Sequence, residues 1–196
     1  MNKILTFKVG IEGLEDKIWR KIEISDRMTV ADLAYTILAT FESFAYHLYK
    51  VKYKGYIFDS WMYPLSRPDY NKLTNAVITE LSELNLKKND KLEMEYDFGS
   101  PTTFKITYLG QKNVDVFDAY LYPAIIDGAG YGMIDDICDF ELQDIVDDID
   151  NKGYSDYYFI HKDEIFDYRE FNLKENNKKL KGLILQIKNG YEIHGK

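Results

Sequence analysis

Apolar and polar residues alternate at the start of the chain, over residues 4–11. The apolar side of this segment consists of Leu5, Phe7, Val9 and Ile11. Such a period of two is typical of a strand with one buried face. Residues 13–16 have the composition of a turn, and residues 18–24 alternate again, with isoleucine on one side. The pattern therefore predicts a β-hairpin.

Helical spacing replaces this alternation after Thr29. The apolar positions that follow are three or four residues apart and comprise Val30, Leu33, Ala34, Ile37 and Phe41. Thr29 and Asp32 have the spacing of a capping box, in which each side chain accepts a hydrogen bond from the backbone of the other residue. We therefore expect a helix over residues 29–41, with the side that carries Val30, Leu33 and Ile37 packed against the hairpin.

Three later segments, residues 47–53, 92–96 and 104–108, alternate as strands do, and a turn over residues 97–101 separates the last two. A short helical turn is expected at residues 81–84. Strands and helices do not alternate here as they would in a parallel sheet, so the order predicts an α+β protein. The expected architecture is a β-grasp-like mixed sheet with a packed helix.

The composition changes after residue 115. A glycine-containing loop is expected over residues 122–132. Apolar residues from Ile134 to Ile149 then recur at helical spacing, and this stretch contains no lysine or arginine, which predicts an acidic helix. A lysine-rich helix is expected over residues 174–181, whereas the pattern of residues 182–196 leaves strand and helix open.

These patterns divide the chain into two segments. Residues 1–115 are expected to form the β-grasp-like α+β core. Residues 116–196 are expected to form the glycine loop and a mainly helical C-terminal extension. Since no clear linker separates them, we expect the extension to pack on the core as one structural unit.

Composition and charge narrow the choice of function. The chain has 196 residues, a net charge of −8 and one cysteine, Cys138, which alone cannot form an intrachain disulfide. No window of about 18 residues is apolar throughout, and the start of the chain lacks the features of a secretory signal. We therefore expect a cytoplasmic protein without membrane association and without a cofactor. The acidic balance disfavours binding to nucleic acid, because phosphate neutralisation supplies most of that affinity.

Several polar residues carry chemistry that a site needs. His47 is a candidate general base or metal ligand. Asp97, Asp127, Asp135 and Asp136 are candidate oxygen ligands for a hard cation. Each also has a structural interpretation: His47 as a half-buried residue with a hydrogen-bond partner, and Asp135 and Asp136 as acidic residues at the N-terminus of a helix.

Glycines, lysines and the remaining histidines suggest further interpretations. Gly128 and Gly130 lie in a segment similar to a phosphate-binding loop, although the Lys-Ser/Thr pair of a P-loop is missing, and a flexible turn is the alternative. Residues 49–54 alternate tyrosine and lysine, a pattern that suits either a single nucleic-acid strand or the two faces of a β-strand. His161 and His194 are expected on the surface.

Four short stretches occur together in this chain. They are KIWR at 17–20, HLY at 47–49, YDFG at 96–99, and YP at 122–123 followed by GAG at 128–130. In this combination the sequence resembles the plasmid pRi ORF-three-like family over residues 5–180. Some members of that family carry the label of TnpR-resolvase-like passenger proteins of an insertion element. The resemblance implies an α+β fold and an essentially uncharacterised function. The family's second histidine, after the YDFG turn, has no counterpart here.

Three hypotheses on function remain open. The first is a non-enzymatic binding or adaptor protein associated with mobile elements, whose glycine segment and acidic helix contact a protein partner. The second is a metal-dependent or acid/base enzyme. Its pocket would be formed by Arg20, His47, Asp97, Asp135 and Asp136. The third is nucleic-acid association through the lysines of residues 50–54 and 178–181. Whether the protein is an enzyme stays open, and the absence of a nucleophile motif favours the view that it is not.

Overall fold

The computed structural model describes residues 2–59, 73–159 and 164–193. Eight strands form its main sheet: β1 (Asn2–Ile11), β2 (Trp19–Ser25), β3 (Tyr49–Tyr53), β4 (Tyr56–Asp59), β5 (Leu73–Asn75), β6 (Lys91–Tyr96), β7 (Thr102–Val114) and β8 (Ala124–Ala129). Their order across the sheet is β5-β4-β3-β6-β7-β1-β2-β8. Neighbouring strands are antiparallel except for the parallel pair β4 and β5. A separate ribbon consists of β9 (Tyr158–Phe159) and β10 (Glu164–Ile165).

The predicted hairpin is confirmed as β1 and β2. Leu5 lies opposite Ile24, and Phe7 lies opposite Ile22. All four of these side chains are buried. Because successive side chains of a strand point to opposite faces, the period of two read from the sequence identified the face that the core covers.

Three helices accompany the sheet: α1 (Val30–Thr40), α2 (Asp139–Lys152) and α3 (Leu173–Ile193). The capping box of α1 is formed as predicted, with Thr29 Oγ1 accepting from Asp32 N at 3.1 Å and Asp32 Oδ2 accepting from Thr29 N at 3.0 Å. Every residue of α1 is buried, because α1 belongs to the sheet's hydrophobic core and α3 packs against it. The predicted burial of Val30, Leu33 and Ile37 is confirmed.

The expected glycine loop over residues 122–132 is in part a strand. Residues 124–129 form β8, which pairs antiparallel with β2 and ends the sheet on that side. On the outer side of β8, the Asn177 side chain of α3 accepts from Ile125 N at 2.9 Å and donates to Ile125 O at 2.7 Å. The β2 partner and this side-chain contact, both distant in sequence, account for a strand that the local pattern did not indicate.

The two C-terminal helices differ from their predicted bounds. α2 begins at Asp139 and not at Ile134, so Asp135 and Asp136 precede the predicted acidic helix and are not part of it. Cys138 is its N-cap, and the Cys138 backbone N–H donates to the Glu141 carboxylate at 3.1 Å. α3 continues to Ile193. Residues 182–193, for which the sequence pattern left strand and helix open, are therefore helical.

The α+β class, with a mixed sheet, a packed helix and a largely helical C-terminal part, is confirmed. Residues 116–196 contact the core through several elements, among them β8, which joins the sheet beside β2, and α3, which packs on α1. Among the described helices, none combines the length and the apolar character that crossing a membrane requires.

The burial of Asp139 makes the stability of the fold depend on pH. Its carboxylate is largely covered at the start of α2 and accepts a hydrogen bond from Thr103 N at 2.8 Å. Burial raises the pKa of Asp139 to about 6, against the opposing effect of the Thr103 amide. An unfolded aspartate has a pKa of about 3.9, so the folded chain binds more protons between about pH 4 and pH 6. The contribution of Asp139 to stability is therefore present below about pH 4 and is lost as the pH rises through about 6.

The variant Asp139→Asn should remove this dependence, because an amide oxygen still accepts from Thr103 and carries no charge. As the pH rises from about 4 to about 7, the free energy of unfolding of the variant should increase by about 1–3 kcal/mol relative to that of the wild type. Urea unfolding at several pH values measures the difference. Two parallel stability profiles would contradict the assignment.

Candidate functional site

Three segments meet at one end of the sheet. They are the segment between α1 and β3, the turn between β6 and β7, and the segment before α2. Each contributes one ionisable side chain, namely His47, Asp97 and Asp136. All three residues belong to the pocket expected from the sequence, and the structure brings them together: one ligand atom from each lies within 4.8 Å of the other two.

His47 lies between the two carboxylates. Its Nε2 atom is 2.8 Å from Asp136 Oδ1 and 3.5 Å from Asp97 Oδ2. The side chain of Asp97 is 10% exposed, that of His47 is 30% exposed, and that of Asp136 is 63% exposed. The three groups therefore extend from the protein interior towards solvent, and the cluster is open on the side of Asp136.

Backbone conformation aims the two carboxylates at the histidine. Asp97 and Asp136 both have left-handed backbones, with φ of 57° and 67°. Aspartate is among the few non-glycine residues that tolerate this conformation. Asp97 Oδ1 also accepts from Gly99 N at 3.0 Å, an Asx-type contact within the turn that leaves Oδ2 directed towards His47.

The carboxylate of Asp135 holds the segments around the site in place through three hydrogen bonds. Its Oδ1 atom accepts from Ser43 Oγ at 2.7 Å and from the Tyr96 hydroxyl at 3.0 Å, and its Oδ2 atom accepts from Phe44 N at 2.9 Å. Burial raises the pKa of Tyr96, so this hydroxyl stays a donor. Asp135 thereby connects the segment before α2 to the segment after α1, while its neighbour Asp136 faces His47.

Two further tyrosines fix the histidine and its partner. The Tyr46 hydroxyl donates to Asp136 Oδ2, and the Tyr191 hydroxyl of α3 donates to the backbone oxygen of His47. The hydrogen bond to Asp136, with burial in second place, raises the pKa of Tyr46. Tyr46 is therefore a hydrogen-bond donor at neutral pH and not a base.

The donor set has two chemical uses. An imidazole nitrogen with two carboxylates is a mixed N/O set that suits divalent transition metals. Three protein ligands leave coordination positions open for water or a ligand, as metal sites that bind substrates require. The same residues also suit a protonated histidine held between two carboxylates, which would be an internal ion pair without a ligand.

A groove of about 800 Å³ adjoins the cluster. The segment after α1 forms one wall with Phe44, Tyr46, His47 and Leu48, and α3 forms the other. Of the three cluster residues, His47 lines the groove and the two aspartates do not, so a ligand in the groove would lie beside His47.

Comparison with known proteins places this chain in a family. The family described as plasmid pRiA4b ORF-3-like protein matches residues 3–175. The chain belongs to this family. The resemblance seen in the sequence is thereby confirmed. The TnpR label and the association with mobile elements stay predictions.

The fold of this plasmid pRiA4b ORF-3-like chain is also found in a solved structure. A protein of unknown function from Methanosarcina mazei Go1 is similar to it with a TM-score of 0.66 and 18% sequence identity. The similarity covers 89% of this chain and 98% of that chain, and at this identity it shows the fold alone. No match is found among curated proteins. The family and its structural relative thus leave the function uncharacterised.

Arg20, a predicted pocket residue of this pRiA4b ORF-3-like chain, lies elsewhere. It is fully buried, and burial lowers its pKa to about 10. Its guanidinium donates to four backbone oxygens at 2.5–3.0 Å, those of Trp19, Thr40, Ala129 and Tyr131. The contacts described for Arg20 include none with the cluster. Arg20 therefore joins β2, the end of α1 and the segment after β8.

Gly128 and Gly130 also lie away from the cluster in this family member. Gly128 is paired with Arg20 in the sheet, and a Cβ atom at Gly130 would lie 2.5 Å from Lys17 O. Both glycines lie against the backbone of β2 or of the residues just before it, and this close packing leaves no room for a side chain. A phosphate-binding role for them stays a prediction that this packing does not favour.

The lysine-rich strand β3 directs its lysines to one face as expected. Tyr49, Val51 and Tyr53 are buried on the other face. Lys50 pairs with Glu95 at 2.6 Å, and Lys52 pairs with Glu93 at 2.9 Å. These pairs reduce the positive charge that could attract a phosphate backbone. His161 and His194 lie outside the described residues.

The sequence analysis did not identify Ser43, Tyr46, Tyr96 or Tyr191 as contributors to the site. Tyr46 and Tyr96 stand next to His47 and Asp97 in the sequence, and this adjacency was the only available signal. Nothing local relates Tyr191, in α3, to His47. Its contact depends on how α3 packs on α1.

Proposed function

We propose that this protein binds a divalent metal ion through His47 Nε2 and the carboxylates of Asp97 and Asp136. One observation carries the proposal: three donor atoms of the right kinds, from three separate segments, lie within 4.8 Å of one another. An ion with ligands at about 2.0–2.2 Å fits between such atoms after small side-chain movements.

The surrounding contacts support a preorganised ligand set. Asp135 and the Asx-type contact of Asp97 hold the segments, and Tyr46 donates to the Asp136 oxygen that does not face His47. Residues that hydrogen-bond to the ligands without binding the ion orient the ligands in known metal sites. Two negative charges and a neutral imidazole compensate the charge of a divalent ion, and the ion would replace the direct hydrogen bond between His47 and Asp136.

Calorimetric titration with Mn²⁺ and with Zn²⁺ tests the proposal. The wild type should bind one ion at this site. The variants Asp97→Asn and Asp136→Asn should each bind it at least about 10- to 100-fold more weakly, since even second-layer changes have effects of that size. Affinity should also fall in acid, because only the neutral imidazole binds metal.

Asp147→Asn is the matched control. Asp147 is an exposed aspartate of α2 whose side chain is 54% exposed and 3.4 Å from Lys17. This variant should bind metal as the wild type does. If the wild type binds neither ion, or if all four proteins bind equally, the proposal is contradicted.

We retain the adaptor hypothesis as the second candidate function, because the exposed surface of α2 is acidic. Glu141, Asp144, Asp147 and Asp150 are exposed and recur every three residues, so together they turn about 180° around the helix. Such an acidic surface suits a basic partner. Lys17 already occupies part of it, since Lys17 Nζ lies 2.7 Å from Asp150 Oδ2. A role as a non-enzymatic adaptor of a mobile element stays a prediction.

A further inference from the structure

We propose that the groove between residues 44–48 and α3 binds a small organic anion, whose charged group coordinates the metal ion and whose apolar body lies along the groove. The inference rests on the proposed metal site and adds the class of ligand. It follows from how the groove, the cluster and α3 are arranged.

The metal site and the groove share a wall. The hydroxyl of Tyr46 donates to Asp136, and His47 Nε2 lies near both carboxylates. Tyr46 and His47 are also among the residues that line the groove, whereas Asp97 and Asp136 are not. Of the three protein ligands, Asp97 is the most buried, and Asp136 lies at the surface. The remaining coordination positions of an ion would therefore be open to solvent, and a ligand that extends from the groove past His47 could reach them.

The groove has an apolar lining with several partly exposed side chains among the residues that the structure describes. Four of its hydrophobic side chains are between 42% and 59% exposed, namely Phe44, Tyr46, Leu48 and Leu185. Scattered exposed hydrophobic residues are ordinary, but a group that lines one concavity is typical of a ligand site. Gln186 and Asn189 of α3 add the few polar groups that such sites use for orientation.

Two glycines of α3 keep the groove open. Gly182 and Gly190 line it, and a Cβ atom built at either position meets nothing within 4 Å. Glycine in a helix costs about 0.5–1 kcal/mol relative to alanine, so an alanine at either position would stabilise the helix and fit. Packing against the described residues thus does not require glycine at either position, and the open space beside them could hold a ligand.

Size and charge decide the kind of occupant. A groove of about 800 Å³ lies within the volume range of small-molecule sites. Two carboxylates without an ion would repel an anion, whereas a bound divalent ion attracts one and offers it a coordination position. The occupant is therefore an anion that binds only together with the metal. A carboxylate and a phosphonate both supply the required oxygen.

Binding of defined probes to the Zn²⁺-loaded protein tests this inference by ligand-observed NMR. The probes are 4-phenylbutyrate and phenylphosphonate, which distinguish the two oxygen chemistries, with 4-phenylbutanol as the neutral analogue. We expect at least one anion to bind the loaded protein and to bind the metal-free protein at least about tenfold more weakly. The neutral alcohol should bind the loaded protein more weakly than the anion.

Gly190→Leu is the blocking variant, because it fills the groove without touching a metal ligand. It should weaken anion binding at least about tenfold and leave Zn²⁺ affinity unchanged. Lys178→Leu is its control, since Lys178 is an exposed residue of α3 that does not line the groove. This control should bind the anion as the wild type does.

A separate Zn²⁺ titration against a chromogenic chelator distinguishes the two proposals. If Zn²⁺ binds but neither anion does, or if an anion binds equally without metal or to Gly190→Leu, the ligand inference is overturned and the metal site stands. If Zn²⁺ itself does not bind, the proposed function fails, and the ligand inference fails with it.

Discussion

Replacing Arg20 with methionine is expected to lower the free energy of unfolding by about 3–5 kcal/mol. Methionine keeps most of the aliphatic stem and removes the guanidinium. Four backbone oxygens then lose a charged donor in a fully buried place, and the rings of Phe41 and Phe171, 5.0 and 4.3 Å from the guanidinium carbon, lose their cation. A lysine cannot restore the loss, because it lacks the planar fork of donors.

Denaturant unfolding measures this loss, and Arg27→Met is the matched control. Arg27 is exposed, so its replacement should change stability by no more than about 0.5 kcal/mol. The Arg20→Met protein, where folded, should bind Mn²⁺ as the wild type does, because Arg20 is not part of the cluster. A stable Arg20→Met protein that has lost Mn²⁺ binding would contradict the structural role and favour the pocket role that the sequence suggested.

Replacing Gly130 with alanine is expected to lower the free energy of unfolding by about 2–4 kcal/mol. The backbone at Gly130 is left-handed, with φ of 73°, and an added Cβ atom would lie 2.5 Å from Lys17 O and 2.9 Å from Ile18 Cα. Both neighbours are backbone atoms of the segment that leads into β2, so they cannot move aside without displacing the strand.

Gly182→Ala provides the comparison for Gly130→Ala, with an effect of opposite sign. The space beside Gly182 is open, and the new methyl group meets nothing within 4 Å. The free energy of unfolding should therefore increase by about 0.5–1 kcal/mol. Thermal or urea unfolding of both variants measures the difference. Equal tolerance of alanine at the two positions would show that the close approach at Gly130 is wrong.

The parts of the fold that the sequence predicted are those in which a local pattern determines the structure. The alternation in β1 and β2 reports a buried face within a few residues, and Thr29 with Asp32 specifies the start of α1 by contacts three residues apart. Such short-range signals require no knowledge of the partner elements.

The parts that the sequence did not predict depend on distant partners. β8 is a strand because β2 pairs with it and Asn177 contacts its outer side, and neither interaction is visible in the sequence of β8. The role of Arg20 was missed for the same reason. An arginine in a strand suggests a surface or a pocket, and only the meeting of β2, α1 and the segment after β8 provides the carbonyl groups that bury it.

The candidate metal site could be predicted from the sequence only in part. The kinds of residue suggested that His47, Asp97 and the pair Asp135 and Asp136 belong together, which is also how the structure places them. Sequence alone could not distinguish the neighbours Asp135 and Asp136. Their different tasks follow from the turn before α2, where one carboxylate faces the protein and the other faces His47.

Anomalous X-ray diffraction from crystals grown with Mn²⁺ or Zn²⁺ would show whether His47, Asp97 and Asp136 bind a metal ion. We expect an anomalous peak at about 2.0–2.3 Å from His47 Nε2 and from one oxygen of each aspartate. The peak should be absent from crystals of Asp136→Asn. Crystals with the metal present, no peak at this position and the hydrogen bond between His47 and Asp136 intact would contradict the proposed metal site.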